Sequence, residues 1–176
     1  EVMHRGALQS REKVLGPEHP DTVDSINNLG LALHDVGRYD EAEAMLRRAL
    51  EIREKVLGPE NPHTLDSVNN VGLVLLDLGK YAEAEAFLLR ALEVREKVQG
   101  PENPLTLVSV GSIGLLLERQ GIYAEAERMY RRVLEGRLKM LGPGHPETLE
   151  SLDKLTSVLE KQRKFEEIEM IRRKLN

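Results

Sequence analysis

The chain contains the segment GPEHPDTVDSINNLGLALHDVGRYDEAEAMLRRALEIREKVL at residues 16–57, followed by GPENPHTLDSVNNVGLVLLDLGKYAEAEAFLLRALEVREKVQ at residues 58–99. Of these 42 aligned positions, 28 are identical, and the opening Gly-Pro pair recurs at residues 100 and 142. A sequence that repeats at one fixed period folds as a stack of similar units, each of which contacts mainly its neighbours. The sequence therefore predicts a repeat array and not a globular domain with a single core.

The 42-residue period divides the whole chain, residues 1–176, into a single array. Residues 1–15 align with the second half of the unit, so they are predicted to form the second helix of a preceding partial repeat. The four repeats that follow span residues 16–57, 58–99, 100–141 and 142–176. Because the chain opens in the middle of a repeat, we expect it to be a segment of a longer array.

The fourth repeat departs from the others at positions that are small elsewhere. Thr156 stands where the third repeat has Gly114, and Ile168 stands where it has Ala126. Larger side chains at these positions would hinder the packing of a further repeat in the usual way. Residues 142–176 are therefore predicted to be a degenerate repeat that caps the array. The alternative is that the chain was cut from a longer array at this end too.

Each repeat is predicted to form two antiparallel helices. In the first repeat, apolar residues at helical spacing indicate helices over Pro20–Val36 and Asp40–Leu57. Proline at the first helical position favours the start of the first helix, and Gly37 favours the left-handed turn at its end. The absence of a side chain at Gly30 is predicted to let the two helices approach closely.

Two repeated stretches, Arg48–Gly58 and Asn27–Gly30, resemble the tetratricopeptide repeat in the 42-residue form of kinesin light chains and of the sensor arrays of some signalling NTPases. The resemblance extends over the whole chain. It implies an all-α fold, a right-handed α-solenoid (superhelix) of antiparallel helix pairs, with about nine helices. It also implies that the first helices of the repeats, Pro20–Val36, Pro62–Leu78 and Pro104–Gln120, line a concave groove.

Charge and aromatic content argue against a nucleic-acid partner. The net charge is −5, and the chain has four tyrosines, two phenylalanines and no tryptophan. Nucleic-acid surfaces need basic grooves that displace counterions and rings on which bases stack. No apolar run approaches the roughly 18 residues that cross a bilayer, so no membrane partner is expected either. The absence of cysteine favours a cytoplasmic location.

No group of residues indicates catalysis or metal binding. The five histidines are scattered, and no pair of them has metal-ligand spacing together with a third ligand. Carboxylates such as Glu41 and Glu43 recur with the repeat on a helix face predicted to be solvated, which argues against a unique acid–base pair. The sequence therefore predicts a protein that is not an enzyme, with no catalytic residues, no metal and no cofactor.

The register of the first helices identifies candidate residues of the groove. The residues predicted to bind a peptide are Asp24, Asn27, Asn28, Leu31, Asp35, Asp66, Asn69, Asn70, Leu73, Asp77, Leu115 and Arg119. The four asparagines resemble those that bind peptide backbone in family members, and an amide offers both a donor and an acceptor. The alternative is that one asparagine of each pair caps or cross-links neighbouring helices.

The leucines and carboxylates indicate the chemistry of the ligand. Leu31, Leu73 and Leu115 either bury apolar side chains of the ligand or pack between repeats. Carboxylates outnumber cations in the groove, and opposite charge accelerates encounter and disfavours acidic competitors. We therefore predict a peptide that carries Lys or Arg beside Leu-type residues.

Two functions are compatible with this pattern. The first is a protein–protein interaction module, part of a larger adaptor or signalling protein, that binds an extended or helical peptide segment of a partner. The second is a regulatory or self-associating array, such as the sensor domain of a signalling NTPase. The two differ in their behaviour in solution, because only self-association makes the particle mass depend on concentration.

Overall fold

The described part of the chain is entirely helical. The computed structural model describes residues 2–175, with the side chains of residues 5–174, so residues 1 and 176 of the predicted array lie outside it. Within these limits the elements are nine helices and no strand: α1 (Val2–Leu15), α2 (Pro20–Asp35), α3 (Tyr39–Leu57), α4 (Pro62–Asp77), α5 (Tyr81–Gln99), α6 (Pro104–Arg119), α7 (Tyr123–Leu141), α8 (Pro146–Lys161) and α9 (Phe165–Leu175). The predicted all-α repeat fold is confirmed.

Helix boundaries lie within one residue of the predicted ones. α2 ends at Asp35 instead of Val36, and α3 begins at Tyr39 instead of Asp40. The left-handed turn between them is present at Gly37, whose φ is 77°. Terminal residues of helices fray, so a difference of one residue is within what sequence patterns resolve.

A side chain caps the first helix of every repeat. Asn61 Oδ1 accepts a hydrogen bond from the backbone N–H of His63 at 3.0 Å. His19 does the same through Nδ1, which accepts from the backbone N–H of Asp21 at 3.2 Å. The pattern recurs at the starts of α6 and α8, with proline directly after each cap. These caps satisfy amide groups that a helix start otherwise leaves without partners.

Glycine allows the two helices of a repeat to pack closely. A Cβ placed on Gly30 would lie 2.8 Å from Leu46 Cγ, and one placed on Gly72 would lie 2.5 Å from Leu88 Cδ2. Both separations are shorter than van der Waals contact, so a side chain at either glycine would have to displace the leucine that packs against it. The predicted role of Gly30 is therefore confirmed.

The chain divides into two compact units, Glu1–Val98 and Gln99–Asn176. In the first unit, α1 packs on α2, α2 packs on α3 and α4, and α3 packs on α4. In the second unit, α6 packs on α7, α7 on α8, and α8 on α9. The core around α8 includes Tyr130, Leu155 and Leu159, and it also accommodates Ile168, which is 5% exposed.

Ile168, one of the residues on which the capping prediction rests, thus lies in the core of its own unit. The capping role of the fourth repeat stays a prediction.

Candidate functional site

A stripe of accessible side chains runs along α2 and repeats on α4. Its positions are separated by four, three and four residues, which is the spacing of one helix face. The eight residues of the two stripes, which we call the α2/α4 face, are Asp24, Asn28, Leu31, Asp35, Asp66, Asn70, Leu73 and Asp77. All eight are exposed or half-buried, and α2 contacts α4 directly. The first unit therefore presents two matching stripes on neighbouring helices.

The asparagines fall into an accessible pair and a buried pair. Asn28 is exposed and Asn70 is half-buried, whereas Asn27 and Asn69 are only 7% and 3% exposed. Asn70 Nδ2 lies 3.5 Å from Asn27 Oδ1, at the outer limit of a hydrogen bond between α2 and α4. The accessible amide groups of the α2/α4 face thus belong to Asn28 and Asn70.

Buried arginines hold two of the carboxylates. Arg53 on α3 is 7% exposed, and its Nη2 donates to Asp24 Oδ1 at 2.6 Å. Arg95 on α5 is 1% exposed and donates in the same way to Asp66. Burial lowers the pKa of the Arg95 guanidinium, and the charge of Asp66 opposes this effect. The face is therefore less acidic than its residue types alone indicate.

Sequence reasoning missed these arginines as parts of the site. Each lies in the apolar stripe of a second helix, and a serine follows it by 14 residues on the next helix. Hydrogen bonds of this kind join Arg11 to Ser25, Arg53 to Ser67 and Arg137 to Ser151, and Arg95 has Ser109 at the same spacing. An arginine recurring at an apolar position, with a serine at constant spacing, is the signal that could have revealed them.

The outer end of the face is polar. His34 Nε2 lies 2.8 Å from Asp77 Oδ2, and the two side chains are 26% and 20% exposed. The His34 ring also packs at a tilt against Tyr39, with centroids 5.4 Å apart. Asp35 beside it is exposed. The His34–Asp77 bond joins the ends of the two stripes.

A small apolar cleft lies beside Asp24. It has a volume of about 130 Å³, and Val23, Ile52 and Val56 line it together with Arg53. Pocket volumes for drug-sized ligands are about 300–1,000 Å³, so this cleft is suited to a single side chain. In the second unit, a cleft of about 190 Å³ occupies the corresponding position in the repeat.

The second unit contains the remaining two candidates. Leu115 is half-buried on α6 and Arg119, at the end of α6, is exposed. Both lie in the register that holds Leu73 and Asp77 on α4. The leucine is therefore kept in this repeat, while the acidic position has become basic.

Among side chains 5–174, no group of three or more histidine, aspartate or glutamate residues could hold a metal ion. None of the helices in residues 2–175 is long and apolar enough to cross a bilayer.

Comparison with known proteins matches the chain to a repeat family. The family model described as tetratricopeptide repeat matches residues 1–55, 24–96 and 63–139. No curated protein matches the chain.

Solved structures similar to the chain share its fold. BtubC (BKLC) from P. vanneervenii has a TM-score of 0.80 at 22% identity, covering 99% of this chain and 69% of BtubC. A Podosopora anserina protein described as a kinesin light chain with nearly identical repeats has a TM-score of 0.74 at 23% identity, covering 99% of this chain and 82% of its own. The apo form of RapI has a TM-score of 0.76 at 20% identity, and the match covers 98% of this chain and 60% of the RapI chain. At these identities the similarity concerns the fold alone.

Proposed function

Because the chain belongs to the tetratricopeptide repeat family, as its sequence predicts, we propose that it is a module that binds a peptide segment of a partner protein. The repeats make it a scaffold of the kind used for protein–protein interaction. The proposed contact surface is the α2/α4 face of the first unit. Leu115 and Arg119 hold the same repeat positions on α6 of the second unit. The partner segment is extended or helical.

The observation that carries this proposal is the repeated order of chemistry along two helices. Each stripe presents an aspartate, an asparagine, a leucine and a second aspartate, and each remains accessible in the folded chain. Asn28 and Asn70 offer donors and acceptors to a peptide backbone without selecting its sequence. Leu31 and Leu73, both half-buried, offer apolar contact, worth about 1.5–3 kcal/mol per fully desolvated ligand side chain.

Charge favours a basic ligand with leucine-type side chains. Carboxylates on the α2/α4 face outnumber the arginines beneath them, even though Asp24 and Asp66 are each held by one. Asp35 is exposed at the outer end of the face. A short segment that orders on binding is expected to reach micromolar affinity, about 8 kcal/mol.

Fluorescence polarisation tests this function directly. The probes are short labelled peptides that share the same leucines and carry either lysines or glutamates. We expect the lysine peptide to bind more tightly, and we expect the double variant Asn28→Ala/Asn70→Ala to weaken its binding roughly tenfold. Glu93→Ala, an exposed substitution on α5, is the matched control and should leave binding unchanged.

Three outcomes would contradict the proposal. If the glutamate peptide binds more tightly, the charge preference is wrong. If the asparagine variant binds as the unmodified chain does, the α2/α4 face is not the contact surface. If no peptide binds and light scattering shows a mass that grows with concentration, the chain is a self-associating array instead.

A further inference from the structure

In the third repeat, α6 carries different residue types at the positions that form the stripes on α2 and α4. The position that holds Asp24 on α2 and Asp66 on α4 holds Val108 on α6. Val108 is 41% exposed, so it does not fill the core of the second unit. Val108 is therefore an exposed apolar residue at a position that holds a carboxylate in the other three repeats, as Asp24, Asp66 and Glu150.

The arginine beneath this position lacks the aspartate partner that its counterparts have. Arg53 and Arg95 each bind the aspartate located 29 residues earlier, but Arg137 has Val108 at that place. Its Nη1 donates to the Ser151 hydroxyl at 2.8 Å and to the Glu147 carbonyl at 2.9 Å on α8, as Arg53 does to Ser67 and the His63 carbonyl on α4. Its guanidinium also lies 3.4 Å from the Glu147 carboxylate and 3.7 Å from that of Glu150. Carboxylates of α8 therefore compensate the half-buried Arg137 guanidinium without an aspartate on α6.

The neighbours of Val108 extend its apolar character. Leu105, three residues before Val108, is 37% exposed, and Leu115 is half-buried at the stripe position of Leu31 and Leu73. Gly111 stands where the earlier repeats have a buried asparagine, and a Cβ there would have its nearest contact at 3.9 Å, which leaves a shallow recess. The Ser112 hydroxyl donates to the Val108 carbonyl of its own helix at 3.1 Å. The strip formed by Leu105, Val108, Gly111 and Leu115, here called the α6 strip, presents no carboxylate and no amide side chain.

We propose that the α6 strip binds an uncharged aliphatic side chain of the partner peptide, and that Val108 determines this preference. This inference rests on the proposed peptide-binding function and names the partner chemistry at α6. A lysine or arginine of the ligand finds a carboxylate at this stripe position on α2 and α4, but a charged side chain desolvated against Val108 finds none. The third repeat therefore selects leucine, isoleucine or valine where the first two favour a basic residue.

Selection from a phage-displayed library of random short peptides tests the inference on the full chain. Val108→Asp restores the residue of the first two repeats, and Val108→Leu keeps an aliphatic side chain as the matched control. We expect peptides selected by the unmodified chain to share an aliphatic position that becomes Lys or Arg in those selected by V108D. A synthetic peptide from the first selection should bind V108D roughly tenfold more weakly, and V108L without loss.

The outcomes separate the inference from the function on which it rests. If the unmodified chain enriches no peptide, the proposed function is wrong. If it enriches peptides and V108D enriches the same ones with the same affinity, the function stands and the inference is overturned. V108D should keep its helicity and thermal midpoint, because the new carboxylate would lie on an exposed position in the register of Asp24 and Asp66.

Discussion

Arg163 has a left-handed backbone conformation that the other repeats assign to glycine. Its φ is 59°, whereas Gly37, Gly79 and Gly121 at the corresponding turns have φ between 73° and 78°. A Cβ in this region clashes with the backbone, at a cost of about 1 kcal/mol. Arg163→Gly should therefore raise the free energy of unfolding by about that amount, as measured by urea denaturation.

A matched control separates backbone relief from loss of the arginine side chain. Arg163→Ala removes the guanidinium but keeps the Cβ, so it should give no increase in stability. If both variants are stabilised equally, the backbone explanation is wrong and the charge of the side chain is responsible.

Individual asparagines show what a repeat pattern resolves and what it leaves open. The pattern identifies Asn27-Asn28 and Asn69-Asn70 as candidates because both pairs recur. Successive residues of a helix differ in direction by about 100°, so one member of a pair faces its neighbours while the other faces solvent. Only the packing of α2 against α4 decides that Asn27 and Asn69 are the buried members.

At the scale of elements, the buried carboxylate of Glu127 on α7 binds the turn that connects α8 to α9. Glu127 is 8% exposed and accepts hydrogen bonds from Lys164 at 2.6 Å, Gln162 at 2.8 Å and Arg131 at 2.9 Å. Desolvation opposes ionisation of Glu127, but these bonds outweigh it and hold its pKa below the ordinary value. The charged form of Glu127 therefore stabilises the contact between α7 and the α8–α9 turn.

Glu127→Gln should lower the free energy of unfolding near neutral pH by roughly 1–3 kcal/mol. A carboxyl group whose pKa is lower in the folded chain contributes stability that is complete above its unfolded pKa, about 4.3. That stability is lost as the pH falls through the folded pKa. The difference between the variant and the unmodified chain should therefore shrink between about pH 5 and pH 3 in urea titrations.

The chain supplies a control for this experiment in its second repeat. Glu85 occupies the repeat position of Glu127 but is exposed, and Leu89 stands where Arg131 does. Glu85→Gln should change the free energy of unfolding by less than about 0.5 kcal/mol at any pH in this range. An equal loss in both variants would show that overall charge, and not the contacts of Glu127, is responsible.

The elements themselves could be predicted closely because each one carries local signals. Proline, a capping side chain and a left-handed glycine mark the ends of α2, and these act within a few residues. The buried arginines could not be assigned in this way, because the bond from Arg53 to Asp24 joins different helices. The same holds for Arg137, whose bonds to Ser151 and to the Glu147 carbonyl join α7 to α8.

For the whole molecule, stability is expected to be local. The stability of a repeat array is approximately the sum of repeat stabilities and nearest-neighbour interfaces. Leu75 on α4 is fully buried in the first unit, and Leu155 on α8 is 1% exposed in the second. Replacing either leucine by alanine should lower the stability of the unit that contains it by roughly 2–5 kcal/mol. Amide hydrogen exchange of the full chain, measured peptide by peptide, shows which residues lose protection in each variant.

We expect Leu155→Ala to accelerate exchange mainly in residues 99–175 and Leu75→Ala mainly in residues 2–98. The two variants are matched controls for each other, since each removes the same atoms from an equally buried place. Local opening requires only that contacts around the altered leucine break, whereas global unfolding requires that those of both units break together. If both variants accelerate exchange equally throughout residues 2–175, the chain unfolds as one cooperative body, and the independence expected of neighbouring repeats is absent from this array.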